Sequence, residues 1–118
     1  MPGITINSVP VVAAPAEIDI TTAQQLRAVL LELSGPGHPT VVVDLTRTLF
    51  CDASGLHVLI RAHKRAASQG GELRLVIPAD GTVSRIIRLT CLDHLIPCFS
   101  SLPGALARTP GGQVVTAR

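Results

Sequence analysis

The sequence predicts a single α/β domain in which a small mixed, mostly parallel β-sheet is flanked by about four helices. Strand-like and helix-like segments alternate along the chain, and this order implies crossover connections between parallel strands. The 118 residues fit one domain with a core of its own. Hydrophobic residues make up 47% of the chain but aromatic residues only 2%, so the core is expected to be aliphatic.

The N-terminal part of the chain changes from extended to helical at Thr21. Residues 4–20 are rich in Val and Ile. Pro10 and Pro15 place this segment at a sheet edge or break it into short pieces, because proline cannot donate a hydrogen bond to a neighbouring strand. From Thr21 onward the apolar residues recur at helical spacing, which predicts a first helix that ends at the SGPGHP sequence of residues 34–39.

Two short apolar runs in the middle of the chain predict buried strands. The TVVVDL run of residues 40–45 is continuous and β-branched, and the ELRLVI run of residues 72–77 forms the next strand. Between them, residues 54–69 show the spacing of an amphipathic helix with a basic outer face, which ends at Gly70 and Gly71.

The C-terminal part predicts three further short elements and a tail. Apolar residues between Val83 and Thr90 mark a third helix, a short strand follows at residues 96–100, and a short helix at residues 102–107. The domain is therefore expected to span residues 1–107. Residues 108–118, RTPGGQVVTAR, are expected to form a flexible tail.

The composition makes several classes of protein unexpected. A formal net charge of +2 is too small to imply a polyanionic partner, and the absence of Trp and Tyr argues against binding of single-stranded nucleic acid. Cys51, Cys91 and Cys98 contain no C-x-x-C pair, so neither a disulfide framework nor a metal site is expected. The chain is expected to need no cofactor of its own and to bind no nucleic acid directly.

The same sequence favours a cytoplasmic, bacterial protein. No apolar run approaches the ~20 residues needed to span a membrane. The N-terminal MPGITINSVPVV lacks the basic region and apolar core of a secretory signal. Nine of the ten basic residues are arginine, which hints at a GC-rich bacterial genome.

A serine at the start of the second predicted helix, in the sequence DASG of residues 52–55, has three possible roles. As an N-cap, the Ser54 hydroxyl would accept a hydrogen bond from the amide of residue 56 or 57. As a nucleophile, it lacks a G-x-S-x-G context, and nothing would orient His57 as its base. As a phosphorylation site, it would place an anion at a helix N-terminus, where amides and the helix dipole tolerate one.

Two neighbouring features bear on these roles. Gly55 costs helix stability, and we expect it to leave room around the hydroxyl for a docking protein or a phosphate. Asp19 and the connection from Asp44 to Ser54 lie at the carboxyl ends of predicted strands, so Asp19, Asp44 and Ser54 are expected to converge in space.

Four stretches, in this order and with these spacings, resemble the STAS domain, the fold of bacterial anti-sigma factor antagonists. They are PAEIDITTAQQL, VVVDL, DASGLHVLIRAHKRA and GGELRLVIP, and the likeness spans residues ~9–107, nearly the whole chain. In that family the serine or threonine directly before the glycine is the phosphoacceptor, which implies that role for Ser54. Ala53 stands where antagonists often carry a second hydroxyl residue, and this removes an alternative acceptor.

The resemblance also implies a partner cycle. An unphosphorylated antagonist binds an anti-sigma factor, which is also an ATP-dependent serine kinase, and thereby frees a sigma factor. Phosphorylation dissociates the complex and a phosphatase restores it. The Glu17-Ile18-Asp19 element contributes to docking in the family. The partner-binding residues expected here are Asp19, Asp52, Ala53, Gly55, His57 and Arg61.

The alternatives remain open at this point. STAS domains also serve as scaffold, sensor or transporter-associated subunits, in which Ser54 would be only a helix cap. An enzyme that uses Ser54 or Cys51 is a further possibility, although a non-enzymatic module is favoured. The basic stripe of Arg61, Lys64 and Arg65 is expected to be a solvated helix face, or else a patch for an acidic partner. The chain is expected to be a monomer or a weak dimer.

Overall fold

The computed structural model describes residues 1, 3–35 and 37–107. The predicted flexible tail at residues 108–118 lies outside the described residues. The strands are β1 Gly3–Ile6, β2 Val9–Ala13, β3 Glu17–Ile18, β4 Val41–Asp44, β5 Phe50–Cys51, β6 Leu73–Val76 and β7 Cys98–Phe99. The helices are α1 Ile20–Leu33, α2 Ala53–Ser68, α3 Thr82–Leu89, α4 Leu92–Leu95 and α5 Leu102–Ala107.

The main sheet has five strands in the order β1-β2-β4-β6-β7. Strands β1 and β2 pair antiparallel, whereas the β2–β4, β4–β6 and β6–β7 pairs are parallel. Strands β3 and β5 form a separate two-stranded parallel ribbon. The predicted α/β class with a mixed, mostly parallel sheet is therefore confirmed.

The N-terminal extended segment is broken into three short strands. Strands β1 and β2 form a hairpin whose two turn residues, Asn7 and Ser8, have φ angles of 52° and 67°, as a tight hairpin turn requires. Pro10 lies in β2, and the parallel pairing of β2 with β4 begins at Val11. The missing amide of Pro10 therefore falls outside that part of the ladder.

The core occupies both faces of the sheet, because successive strand residues point to opposite sides. On β4, Val41 and Val43 belong to a large aliphatic cluster with residues of α1, α2, α3 and α4, while Val42 packs in a smaller cluster with Ala105 of α5. The structure has five helices among its described residues rather than about four. The additional one is the single turn of α4, which begins after Cys91 with its φ angle of 57°.

A fully buried arginine lies on the face of the sheet that α5 covers. The Arg74 side chain is 0% exposed. Its Nε donates to Glu72 Oε2 at 2.8 Å, and its Nη1 donates to the carbonyl oxygen of Ala105 at 2.8 Å. A buried charge is stable only when it is paired and hydrogen-bonded, so this network fixes α5 against β6. No pattern in the sequence assigns a role to Arg74.

Candidate functional site

The ribbon of β3 and β5 brings two helix starts side by side. Ile18 pairs with Cys51 in parallel register, and the amide of Asp52 donates to the carbonyl oxygen of Ile18 at 3.0 Å. Strand β3 leads into α1 and β5 leads into α2. Asp19 and Asp52 therefore stand at neighbouring carboxyl ends of parallel strands, the position at which functional sites of such sheets gather.

Asp52 is the N-cap of α2. Its Oδ1 accepts hydrogen bonds from the amides of Ser54 at 2.9 Å and Gly55 at 3.3 Å. Ser54 is thus the second residue of the helix, and its hydroxyl donates to the same Asp52 Oδ1. The interpretation of Ser54 as the helix cap is wrong, because β5 ends one residue before Asp52 and an aspartate accepts the first free amides as well as a serine does.

Asp19 caps α1 in the same way. Its Oδ1 accepts from the amides of Thr21 and Thr22, each at 3.0 Å, and Thr22 Oγ1 accepts from the Asp19 amide at 2.9 Å. The pKa of the Asp19 carboxyl is held below its ordinary value, chiefly by the hydrogen bond from the Thr22 amide.

The pKa of the Asp52 carboxyl is also lowered. The hydrogen bond from the Ser54 hydroxyl is the main cause, and the negative charge of Asp19 acts in the opposite direction. Both carboxylates are therefore ionised at neutral pH. Asp52 links the other two residues, because its carboxylate lies within reach of the Asp19 charge and accepts a hydrogen bond from the Ser54 hydroxyl.

Gly55 is buried where α2 rests on the ribbon. A Cβ atom at this position would lie 2.6 Å from Cys51 Sγ and 2.6 Å from Ile18 Cγ2, closer than nonbonded atoms can approach. The space that the glycine provides is therefore filled by the ribbon beneath the helix. The expectation that it leaves room around the hydroxyl is corrected accordingly.

The predicted site residues differ in their accessibility. Ser54, Asp19 and Asp52 are half-buried, Gly55 is buried, and the remaining three, Ala53, His57 and Arg61, are exposed. Seven residues and nearly two helical turns separate Arg61 from Ser54 on α2. Asp19, Asp52, Ala53 and Ser54 thus gather at the start of the helices, whereas Arg61 lies further along α2.

Three exposed apolar side chains lie close in the sequence to the two carboxylates, and no sequence pattern marks them. Ile20 directly follows Asp19 and is 68% exposed, while Leu49 and Phe50, at the start of β5, are 73% and 45% exposed. We call Ile20, Leu49 and Phe50 the apolar rim. The amide of Leu49 donates to the carbonyl oxygen of Ala16 at 2.7 Å, which holds the β5 side of the rim beside β3. Adjacent exposed apolar residues of this kind mark interaction surfaces.

The two candidate nucleophiles lie in different surroundings. Burial raises the pKa of the Cys51 thiol to about 11, so it is protonated at neutral pH and a poor nucleophile. The Ser54 hydroxyl donates to a carboxylate that serves as a helix cap.

Two kinds of feature are absent from the residues that the structure describes. None of their helices combines the length and the apolar character that crossing a bilayer requires. No group of three or more His, Cys, Asp or Glu side chains among them is placed to hold a metal ion.

Comparisons with known proteins agree with this geometry. The sequence pattern of one family, described as the STAS domain, matches residues 4–105. No curated protein matches the sequence. The structure is similar to that of an anti-sigma factor antagonist from Mycobacterium paratuberculosis, with 28% identity, 89% of this chain and 88% of that chain covered, and a TM-score of 0.79.

Two more distant structures share the fold. Both are of SpoIIAA, one described as an anti-sigma factor antagonist in its unphosphorylated form and the other as a Bacillus cell fate determinant in its phosphorylated form. The first has 14% identity and a TM-score of 0.64, with 87% of this chain and 89% of that chain covered. The second has 17% identity and a TM-score of 0.65, with 87% and 92% covered.

Proposed function

The chain belongs to the STAS domain family, and from this premise we propose that it is an anti-sigma factor antagonist switched at Ser54. In this proposal the surface around Ser54 binds an anti-sigma factor that is also a serine kinase, and so releases a sigma factor. Phosphorylation of Ser54 ends the binding and a phosphatase restores it. The observation that supports this most is the half-buried Ser54, whose hydroxyl donates to the Asp52 carboxylate where the starts of α1 and α2 lie side by side.

The apolar rim supplies the contact area for the unphosphorylated state. A partner that covers Ile20, Leu49 and Phe50 removes exposed apolar surface from water, which contributes roughly 25 cal/mol per Å². Asp19 directly precedes Ile20, Asp52 follows Phe50 by two residues, and the two carboxylates favour a partner with basic or hydrogen-bond-donating groups. The docking surface is thus apolar and acidic at the helix starts, and exposed residues such as Ala53 and His57 complete it.

Phosphorylation would change the charge of this surface strongly. A phosphate on Ser54 carries about −1.5 to −2 charges at neutral pH, and it would stand beside the two carboxylates. It would also remove the hydroxyl proton that Ser54 now donates to Asp52. A loss of ~1.4 kcal/mol in binding lowers affinity tenfold, so a modest electrostatic clash is sufficient to release the partner.

One observation weakens the alternative of a scaffold, sensor or transporter-associated subunit in which Ser54 is only a helix cap. Asp52 already accepts the amides of Ser54 and Gly55, so the helix has its cap without the serine. A reason other than capping is then needed for a hydroxyl at this position, and phosphorylation provides one.

The proposal is tested with purified candidate anti-sigma factor kinases. We expect unmodified protein and Ser54→Ala to bind the cognate kinase. Addition of ATP should release only the unmodified protein, with one phosphate on Ser54 by mass spectrometry. Ser54→Glu should bind at least about tenfold more weakly.

The matched control is Ser68→Glu, which adds the same charge at the other end of α2, where Ser68 is exposed. It should leave binding within about twofold of the unmodified protein. Equal binding by Ser54→Ala, Ser54→Glu and the unmodified protein would contradict the proposal, as would failure of every candidate kinase to modify Ser54.

A further inference from the structure

A groove runs between α1 and α2, on the surface that extends from Ser54 along the second helix. It encloses about 230 Å³. Apolar side chains from both helices, including Leu30, Val58 and Ala62, form its floor. Leu30 is 3% exposed and belongs to the main core, so the floor is part of a packed, rigid layer. The groove is therefore a fixed feature of the helix pair.

Three arginines line this apolar groove. Arg61 and Arg65 lie one turn apart on α2, and Arg27 lines the groove from α1. All three are exposed, and none forms an ion pair with another residue in the part of the chain that the structure describes. The lining contains no acidic side chain. Three like charges around one apolar groove repel one another, and an anion bound there would relieve this repulsion.

We propose that this groove binds a free amphiphilic anion, which has an oxyanion head held by Arg27, Arg61 and Arg65 and a short apolar body on the floor. The volume sets the size of the body. A cavity of roughly 150 Å³ holds one benzene molecule, and drug-sized ligands occupy roughly 300–1,000 Å³. The groove lies between these values, which suits a medium-length alkyl chain or a small aryl group.

The available donors determine the chemistry of the head. The Ser34 hydroxyl, at the end of the groove, already donates to the carbonyl oxygen of Leu30 at 2.6 Å, so the donors left to the ligand are guanidinium groups. The planar fork of a guanidinium matches a carboxylate or a phosphate with two parallel hydrogen bonds. An alcohol of the same size offers no such match, and inorganic phosphate makes no use of the floor.

Binding is measured by isothermal titration calorimetry and by amide chemical-shift changes, with the unphosphorylated chain alone. Octanoate and octyl phosphate, below the concentrations at which they form micelles, are the two head-group probes. At least one of them should bind saturably with one molecule per chain and shift the amides of α1 and α2 around the groove. Octanol and inorganic phosphate should bind at least about tenfold more weakly.

Variants assign the head group to the arginines. The double variant Arg61→Gln/Arg65→Gln should lower affinity for the bound probe at least about fivefold, and Arg27→Glu should lower it by a similar factor. Arg88→Gln is the matched control, since Arg88 is exposed on α3 and lies outside the groove. All variants should keep the circular dichroism spectrum and the melting temperature of the unmodified protein.

Several results would overturn the inference. They are no saturable binding of either probe, equal binding of inorganic phosphate or octanol, and equal loss with Arg88→Gln. Because Ser54 and the kinase take no part in the measurement, its outcome is independent of the proposed switch. If the groove binds no probe, the switch at Ser54 can still hold. If Ser54 is not phosphorylated, the groove can still bind its probe.

Discussion

One carboxylate oxygen of Asp52 serves three donors. Its Oδ1 accepts from the Ser54 amide, the Ser54 hydroxyl and the Gly55 amide. The cap of α2 and the hydroxyl that we propose as the phosphoacceptor therefore share one acceptor atom. Any change to the Ser54 side chain is expected to alter the charge state and the hydrogen bonding of Asp52 directly.

A prediction at the residue scale concerns the titration of Asp52. Because the Ser54 hydroxyl is the main cause of its lowered pKa, Ser54→Ala should raise the pKa of Asp52 toward the ordinary aspartate value. A carboxyl whose pKa is lower in the folded chain stabilises the fold above its unfolded-state pKa. That contribution is lost as the pH falls through the folded-state pKa.

The loss on acidification should begin near the unfolded-state pKa in both proteins, but it should extend to lower pH and be larger in the unmodified protein than in Ser54→Ala. The carboxyl carbon chemical shift of Asp52 in an NMR pH titration measures its pKa in the unmodified protein and in Ser54→Ala. Ser68→Ala is the control and should leave Asp52 unchanged. An Asp52 pKa that stays constant or falls in Ser54→Ala would show that the hydroxyl does not stabilise the carboxylate.

The wrong assignment of the helix cap has a physical cause. The sequence DASG offers two good capping residues, Asp52 and Ser54, and local preference does not separate them. The choice is made by the ribbon, since β5 ends at Cys51 where Ile18 is its partner. That pairing joins residues far apart in the sequence and involves strands of two residues each, too short to show an alternating pattern.

A prediction at the scale of elements concerns the contact of α2 with the ribbon. In a helix, alanine is usually favoured over glycine by roughly 0.5–1 kcal/mol. At Gly55 the sign should be reversed, because the added methyl group would collide with Cys51 and Ile18, which are 4% and 0% exposed. We expect Gly55→Ala to lower the free energy of unfolding by about 1–3 kcal/mol, as overpacking of a core does.

Urea denaturation measures this change. Gly35→Ala is the control, since a Cβ there would meet nothing within 4 Å, and it should alter stability by less than about 0.5 kcal/mol. An equal or higher stability of Gly55→Ala would mean that the helix and the ribbon adjust to the methyl group, so that the glycine is not required for their packing.

Long, periodic elements were predictable and single turns were not. The segments of α1, α2, β4 and β6 follow from apolar spacing and from continuous β-branched runs. Helix α4 was missed because four residues give no helical periodicity. The buried Arg74 was missed because its partner on α5, the Ala105 carbonyl, is a backbone group that no sequence pattern marks.

A prediction at the scale of the whole molecule concerns the rates at which the three cysteines are labelled, because the three thiols differ in burial. Cys51 lies in the main core, Cys98 is partly buried and Cys91 is exposed. Burial raises the pKa of Cys51 and of Cys98 from 9.0 to about 11, and the thiolate is the reactive form. A maleimide at neutral pH should therefore label Cys91 first, Cys98 slowly, and Cys51 only when the domain unfolds globally.

Mass spectrometry of peptides over a urea series gives the rate at each position. In Cys91→Ser the fast phase should vanish while the slow phases persist. Labelling of Cys51 in native conditions as fast as Cys91 would show that α2 separates from the ribbon without global unfolding. Such opening would expose the base of the Ser54 site, so this experiment bears on the function as well as on the core.

The class of the whole fold was predictable because it depends on the order of elements rather than on any one contact. Alternating strands and helices leave few topologies open once crossovers are right-handed. The surface chemistry was less accessible from sequence. The apolar rim and the groove each combine residues from two separate segments, and only the packing of α1 and α2 on the ribbon brings those segments together.

The paired starts of α1 and α2 decide where a phosphate on Ser54 would point. Free amides at a helix start ordinarily draw an anion inward. Here the amides of Thr21, Thr22, Ser54 and Gly55 are already bound by Asp19 and Asp52. The new phosphoryl group would find these four amides already occupied and two carboxylates at the same helix starts, and so would be turned toward the solvent, into the space that an arriving protein must occupy.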